Sequence, residues 1–227
     1  MNFSLIMREL LQGFGNTILL FAVTLVLSLP LGLLIAFGEM SKIKPIKWIC
    51  KGIVWIIRST PLLLQVLLVS LIPRYVFGLL NKDVAAFFGV SIRTLIFIFV
   101  SIAFVINYSC YFAEIFRGAI SSVQKGQYEA GKVLGLKKGQ IFSKIVLFQV
   151  FRKVLAPMSN EIITLVKDTA LASVLGVIDL YNAAQGLVNT YVVLTPLLYA
   201  AVFYLIFNGI LTLLFGYVEK KMSFYKE

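Results

Sequence analysis

The sequence predicts an all-α protein that is integral to a membrane, and three observations lead to this prediction. Hydrophobic residues make up 60% of the chain, and the mean hydropathy is +0.95. Charged residues account for only 14%, compared with about one quarter in soluble domains. The apolar residues fall in five runs of about twenty residues, the length that a helix needs to cross a bilayer. We therefore predict one transmembrane domain over residues 1–227, without a separate soluble domain.

Each apolar run predicts one transmembrane helix. The predicted spans cover residues 15–37, 53–72, 94–115, 154–175 and 196–217. Residues 1–12 carry Arg8 and Glu9 and lack the pattern of a cleaved signal peptide, so the first span is expected to act as the targeting signal.

Span two contains a helix-breaking sequence near its start, Arg58-Ser59-Thr60-Pro61. Proline lacks a backbone donor and disfavours helical geometry at the preceding residue, so we predict a break or a new helix start here. The polar segment 73–93 then fits an external loop with a short interfacial helix.

Span three ends with Glu114 and Arg117, three positions apart on a helix, which predicts a structural ion pair. Span four is the most polar of the five, and ionisable groups inside a bilayer normally face a bundle interior or a wet pathway. Its polar residues include Asn160, Glu161, Thr164, Lys167 and Asp168. Segment 178–195, without lysine or arginine, predicts an external loop before span five.

The basic residues predict the orientation. With the N-terminus outside and the C-terminus in the cytoplasm, sixteen of the 21 Lys and Arg residues lie inside. They occupy segment 39–58, the central segment 117–153 and the tail 219–227. This bias explains the net charge of +11 without a nucleic acid partner. Two isolated cysteines and the absence of histidine predict neither a metal site nor a disulfide.

The central segment 121–153 is basic but also carries many apolar side chains, so it predicts a docking surface rather than a solvated linker. It contains Glu129-Ala130-Gly131, then Gly135, and after nine residues Ile145-Val146-Leu147-Phe148. This spacing resembles the EAA motif of ABC importer permeases, with Gly131 in place of the second alanine and Phe148 in place of proline.

Further motifs resemble the polar amino acid permeases of the histidine, glutamine and arginine type. These motifs are Arg58-Ser59-Thr60-Pro61-Leu62-Leu63-Leu64-Gln65, Tyr111 to Ile120, Gly126-Gln127-Tyr128-Glu129-Ala130 and Lys167-Asp168-Thr169-Ala170-Leu171. The resemblance extends from about Gly13 to Tyr217 and implies a MetI-like type I permease fold in a bacterial cell (inner) membrane.

The resemblance also implies partners. The EAA segment would form a cytoplasmic coupling helix, about Gln127 to Leu134, that docks on an ABC ATPase subunit. An extracellular or periplasmic solute-binding protein and a second permease copy or homologue would complete the importer. Glu129 suits the first turn of such a helix, and Gly135 is placed to end it with a positive φ. The expected coupling residues are Tyr128, Glu129, Ala130, Val133, Leu134 and Gly135.

The chain has no phosphate-binding Gly-x-x-x-x-Gly-Lys-Ser/Thr motif, so it is not expected to be an enzyme or to hold a cofactor. ATP would be bound by the partner ATPase.

The candidate substrate site lies on span four. Glu161 and Asp168 are seven residues apart, about 10.5 Å along one helix face. Together they could hold an α-ammonium and a cationic side chain, with Lys167 facing elsewhere. The full candidate set is Glu161, Asp168, Asn160, Thr164, Tyr111 and Asn107. In the alternative, these carboxylates only make structural hydrogen bonds to neighbouring helices.

The sequence thus predicts a permease subunit of an ABC importer for polar amino acids, with cationic ones among the candidates. The alternative is a secondary carrier that uses Glu161, Asp168 and Lys167 as a proton relay; it predicts internally repeated halves, which the sequence lacks. A small channel or scaffold would leave the EAA spacing unexplained. The sequence leaves open the amino acid, the choice between homodimer and heterodimer, and whether this subunit or the binding protein selects the substrate.

Overall fold

The computed structural model describes residues 3–222, and all of the regular secondary structure in this range is helical, without a strand. The α-helices are α1 (Phe3–Glu39), α2 (Lys44–Arg58), α3 (Leu62–Phe77), α4 (Asn81–Phe87), α5 (Ile92–Ser121), α6 (Lys125–Val133), α7 (Lys138–Ile141), α8 (Leu147–Asp168), α9 (Leu180–Tyr191) and α10 (Thr195–Met222). A π-helical turn, Phe142–Val146, joins α7 to α8, and a 3₁₀ segment, Thr169–Leu175, follows α8.

Helix α1 has 37 residues and is therefore about 55 Å long, longer than a bilayer core. It begins twelve residues before the predicted start of span one. The extension is stabilised by packing, because Ile6 and Leu10 are buried against Leu180 and Ala184 of α9 and Ala200 of α10. Helix α1 thus contains predicted span one and adds an N-terminal part that supports α9.

Predicted span two, 53–72, contains the helix break that was expected near its start. Helices α2 and α3 meet at an angle of 108°, with the break at residues 59–61, where Pro61 was expected to produce it. Most of segment 39–51, which lies between predicted spans one and two, belongs to α2. Helix α3 continues through Pro73 and ends before Gly78, whose φ is +68°. The short helix expected within 73–93 is present as α4.

Helix α5 forms the centre of the fold. Phe104, Tyr108 and Phe112 are almost fully buried in one core with residues of α1, α3 and α8. Helix α1 approaches α5 closely at Gly32, where a Cβ atom would lie 2.8 Å from the Ser109 carbonyl oxygen. The side chains of α5 can therefore contact elements on several sides.

Two further boundaries differ from the predictions. The α-helical part of predicted span four runs from Leu147 to Asp168, and 169–175 is a 3₁₀ segment. Segment 178–195 is not a plain loop, because it contains α9. The side chain of Asp179 caps this helix by accepting a hydrogen bond from the Asn182 backbone N–H at 2.9 Å.

Three described helices, α1, α5 and α10, are long and apolar enough to cross a membrane, and the α2–α3 pair would be a fourth if counted as one span. Helix α8 is not among them, because its polar residues lower its hydropathy. The fold therefore has three to four strongly apolar helices and one long polar helix that packs on α5.

Candidate functional site

A cavity of about 580 Å³ lies between the α2–α3 break, α5 and α8. Polar side chains from each of these elements line it. The lining residues are Arg58, Ser59, Thr60, Pro61, Leu62, Leu63, Asn107, Tyr108, Tyr111, Glu161, Thr164, Asp168 and Leu171. Such a cavity is large enough for a small polar molecule.

One wall of the cavity is acidic and belongs to α8. Glu161, Thr164 and Asp168 follow each other at intervals of three and four residues and so share one helix face. Asp168 accepts a hydrogen bond from the hydroxyl of Tyr108, with 2.8 Å between Oη and Oδ2. Within residues 3–222, Glu161 makes neither a hydrogen bond nor an ion pair, and its carboxylate is available to a ligand.

The opposite wall is positive and belongs to the helix break. The Arg58 guanidinium lies 5.2 Å from the ring centre of Tyr111, and its Nη1 atom is 3.9 Å from Glu114 Oε2. Helix α3 begins beside it, and Leu62 and Leu63, in its first turn, also line the cavity. The first N–H groups of a helix lack intrahelical acceptors and carry the positive end of the helix dipole. This wall is therefore suited to bind an anion.

Side-chain hydrogen bonds fix the geometry of the break. The Gln65 amide nitrogen donates to the Ile57 carbonyl oxygen and to the Thr60 hydroxyl, each at 2.8 Å. Gln65 Oε1 in turn accepts from Asn107 Nδ2 of α5 at 3.0 Å. Because Gln65 and Asn107 are buried, these bonds hold the start of α3 against α5.

The expected ion pair of α5 is present below this wall. Arg117 donates to both carboxylate oxygens of Glu114, with 3.0 Å between Nε and Oε2. The contact between Arg58 and Glu114 extends the pair into a three-residue charge cluster. The cluster links α2 to α5 beneath the cavity.

The structure places five of the six candidate substrate residues around the cavity: Asn107, Tyr111, Glu161, Thr164 and Asp168. Asn160 is exposed and does not line it, and Lys167 is also exposed. The candidate set lacked Arg58 and Thr60, which also line the cavity. Arg58 lies next to the predicted helix break and Thr60 within it, and this break was the sequence signal that could have placed them at the site.

The predicted coupling segment forms a separate surface on α6. Glu129, Ala130 and Val133 share an outward face, and Val133 is 87% exposed. Leu134, just after the helix, is 74% exposed. On the other face, Tyr128 is half-buried against the central core. This surface thus combines apolar side chains with one carboxylate.

The end of α6 confirms the predicted role of Gly135. Its φ is +71°, its N–H donates to the Lys132 carbonyl at 2.9 Å, and the Leu136 N–H donates to the Gly131 carbonyl at 3.0 Å. These two bonds form a Schellman motif, which glycine tolerates because it has no Cβ. Gly131 itself packs on Ile141, where an added Cβ would lie 2.8 Å from Cγ1.

Comparisons with known proteins agree with this architecture. Residues 28–224 match the family described as binding-protein-dependent transport system inner membrane component. The chain is 34% identical over 215 residues to the L-cystine transport system permease protein TcyB of Bacillus subtilis (strain 168), covering 94% of this chain and 86% of that protein. It is 31% identical over 216 residues to the arginine transport system permease protein ArtQ of the same organism, covering 94% and 92%.

Solved structures of ABC transporters also resemble this chain. A crystal structure of an amino acid ABC transporter with histidines superposes with a TM-score of 0.79 at 29% identity, covering 97% of this chain and 99% of that chain. An inward-facing MetNI methionine ABC transporter shares the fold, with a TM-score of 0.68 at 18% identity over 98% and 99% of the two chains. The chain therefore belongs to the family of binding-protein-dependent inner membrane components, which are permease subunits of ABC transporters and not enzymes themselves.

Proposed function

We propose that this protein is the permease subunit of an ABC importer that carries polar, cationic amino acids. The observation that carries this proposal is the arrangement of charge around the cavity: Arg58 and the start of α3 on one wall, and Glu161 and Asp168 on the other. Relatives with substrates in their names include permeases for L-cystine, arginine and glutamine. An amino acid with a second positive charge fits the two carboxylates best.

The binding arrangement follows from the two walls. The α-carboxylate of the substrate binds Arg58 and the first N–H groups of α3, because a guanidinium and a helix N-terminus both favour an anion. The α-ammonium group and the side-chain cation bind the acidic wall, one at each carboxylate. Glu161 is free for this role, whereas Asp168 is oriented by Tyr108. Thr164, between them, adds a hydroxyl.

The topology that we propose is a single transmembrane domain with five spans, the N-terminus outside and the C-terminus in the cytoplasm of a bacterium. Helices α1, α5 and α10 supply three spans, and α3 supplies one. Helix α8 supplies the fifth, with its polar face turned to the cavity instead of to lipid, as expected of intramembrane polar residues. The excess of Lys and Arg in segments 39–58 and 117–153 supports this orientation.

Energy for transport comes from separate ATPase subunits, which dock on the exposed face of α6. Val133 and Leu134 enter a groove on the ATPase, and Glu129 adds a charged contact. A second permease copy or homologue completes the membrane unit, and a solute-binding protein delivers the substrate from outside. Closure of the ATPases moves α6 and switches the cavity between the two sides of the membrane.

The geometry disfavours a secondary carrier with a proton relay through Lys167. A relay requires that its groups lie within hydrogen-bond reach of each other or of shared water. Lys167 is exposed and does not line the cavity that contains Glu161 and Asp168.

Transport in proteoliposomes tests the proposed class. The permease is reconstituted with its ATPase subunit, and uptake of labelled arginine, lysine and glutamine is measured with and without ATP. We expect uptake only with ATP and the ATPase. Uptake by the permease alone, driven by a proton gradient, would refute the proposal.

Charge-neutralising variants test the proposed site. We expect Glu161→Gln and Asp168→Asn to raise the KM for arginine or lysine about tenfold or more, since each removes a charge-assisted hydrogen bond of roughly 1.5–3 kcal/mol. The neutral substrate glutamine should be affected less. The matched control is Asn160→Asp on the exposed side of the same helix. Equal losses for cationic and neutral substrates would contradict the proposed role of the carboxylates.

A further inference from the structure

We propose that α2 lies flat in the cytoplasmic surface of the membrane and that Lys44, Lys47 and Lys51 bind the headgroups of anionic lipids. The assignment to the cytoplasmic leaflet rests on the proposed topology. The lipid-binding surface itself follows from the faces of α2, which differ sharply in chemistry.

The first face is basic. The three lysines follow each other at intervals of three and four residues, which aligns them on one side of the helix. All three are exposed, and within the described range 3–222 none of their ammonium groups makes a hydrogen bond or an ion pair. A row of unpaired ammonium groups is suited to phosphate-bearing lipids.

The second face is apolar and lies about 170° away around the helix, at 100° per residue. Four isoleucines form it, spaced by three and four residues, and all are exposed in this chain: Ile46, Ile49, Ile53 and Ile56. A helix with a basic face and an opposite apolar face is typical of segments that lie in the membrane interface, with the apolar side turned to the acyl chains.

Two tryptophans mark the boundary between these faces. Trp48 and Trp55 are seven residues apart, adjacent to the lysine row, and are 74% and 71% exposed. Tryptophan favours the headgroup level of a bilayer, because its ring is apolar and its indole N–H is polar. With the isoleucine face among the acyl chains, the two tryptophans therefore lie at the level of the lipid headgroups.

The third side of α2 packs on the protein and fixes this orientation. Val54 is buried in a cluster with Ala36 of α1 and Cys110 and Ala113 of α5. Cys50 packs on Gly38, where an added Cβ would collide with the Cys50 sulfur atom. Because α2 is bent by 108° from α3, a membrane-crossing α3 places α2 close to the membrane plane.

The two tryptophans of α2 are the only tryptophans in the chain, so the intrinsic fluorescence of this subunit reports on α2 alone. The 227-residue chain is reconstituted in phosphatidylcholine vesicles that contain a small fraction of brominated lipid, either phosphatidylglycerol or phosphatidylcholine. Bromine quenches tryptophan only at short range. We expect brominated phosphatidylglycerol to quench about twofold more than brominated phosphatidylcholine at the same mole fraction, since each interfacial lysine favours anionic lipid.

Three variants define the outcome. Replacing Lys44, Lys47 and Lys51 together with glutamine should abolish the difference between the two lipids, and replacing them with arginine should retain it. The matched control replaces Arg74, Lys82 and Arg93, on the other side of the proposed topology, with glutamine and should also retain the difference.

Equal quenching by both lipids in the unmodified chain would overturn the proposal. Absence of quenching by either lipid would also overturn it and would indicate that a second permease copy covers α2. The measurement needs no transport, so its result is independent of the substrate proposal.

Discussion

Replacement of Tyr108 with phenylalanine removes one hydroxyl from the centre of the proposed substrate site and leaves the packing of the ring intact. The Tyr108 side chain is only 2% exposed and contacts Phe104, Tyr111 and Phe112 through its ring. The hydroxyl donates to Asp168 Oδ2 at 2.8 Å. Loss of the hydroxyl frees the Asp168 carboxylate to rotate away from the cavity. The variant therefore changes the orientation of Asp168 and keeps its charge.

The expected magnitude follows from the type of bond. A hydrogen bond to a charged group contributes about 1.5–3 kcal/mol, and each 1.4 kcal/mol corresponds to a factor of about ten in affinity. If half or more of this energy serves to orient Asp168 for the substrate, the KM for arginine or lysine should rise by at least about threefold and by at most roughly a hundredfold. ATP hydrolysis without substrate should stay the same, because the hydroxyl that is removed acts on Asp168 in the cavity and not on the exposed face of α6.

The assay is ATP-dependent uptake in proteoliposomes, arranged as a double-mutant cycle with Asp168→Asn. Tyr108→Phe should have little further effect when Asp168→Asn is already present, because the hydroxyl acts through the carboxylate. The control is Tyr75→Phe, the same substitution at an exposed position outside the cavity. Fully additive effects of the two substitutions, or an unchanged KM in Tyr108→Phe, would refute the reasoning.

Further predictions concern packing and coupling. Gly32→Val should lower the free energy of unfolding, measured in detergent, by about 1–3 kcal/mol, because the valine side chain would collide with the α5 backbone. Gly15→Val, in the same helix, has open space around it and should change the free energy of unfolding little. Glu129→Lys should abolish co-purification of the ATPase while membrane insertion persists, and Glu9→Lys, distant from α6, should have no effect. Gly131→Leu should disrupt the packing of α6 on Ile141 and reduce coupled ATP hydrolysis without loss of membrane insertion.

Local signals in the sequence were sufficient for several parts of the structure. The break before α3 follows from Pro61, which cannot donate a backbone hydrogen bond. The end of α6 follows from Gly135, which adopts a positive φ without strain. The shared face of Glu161 and Asp168 follows from helical periodicity alone. In each case the cause is contained within a few neighbouring residues.

Other features depend on contacts between distant parts of the chain, and the sequence pattern did not reveal them. Segment 178–195 has few charges and was expected to be a loop. Its helix α9 is stabilised by burial of Leu180 and Ala184 against α1, more than 160 residues away in sequence. The direction of α2, which ends just before the Pro61 break, is likewise set by packing on α1 and α5. Asn160, adjacent to Glu161, was grouped with it, but the helix turns its side chain away from the cavity.

The division of the cavity between elements suggests how binding and ATP hydrolysis are coupled. The acidic wall lies on α8, which continues through the π-helical turn from α7, and Ile141 of α7 packs directly on Gly131 of α6. The positive wall instead lies on α2 and α3, which pack on α1 and α5. If an ATPase docks on α6 as proposed, a displacement of α6 would therefore shift Glu161 and Asp168 relative to Arg58. A substrate that bridges both walls fits only one separation, so its affinity must differ between the two states, which is the thermodynamic condition for a ligand to influence the switch.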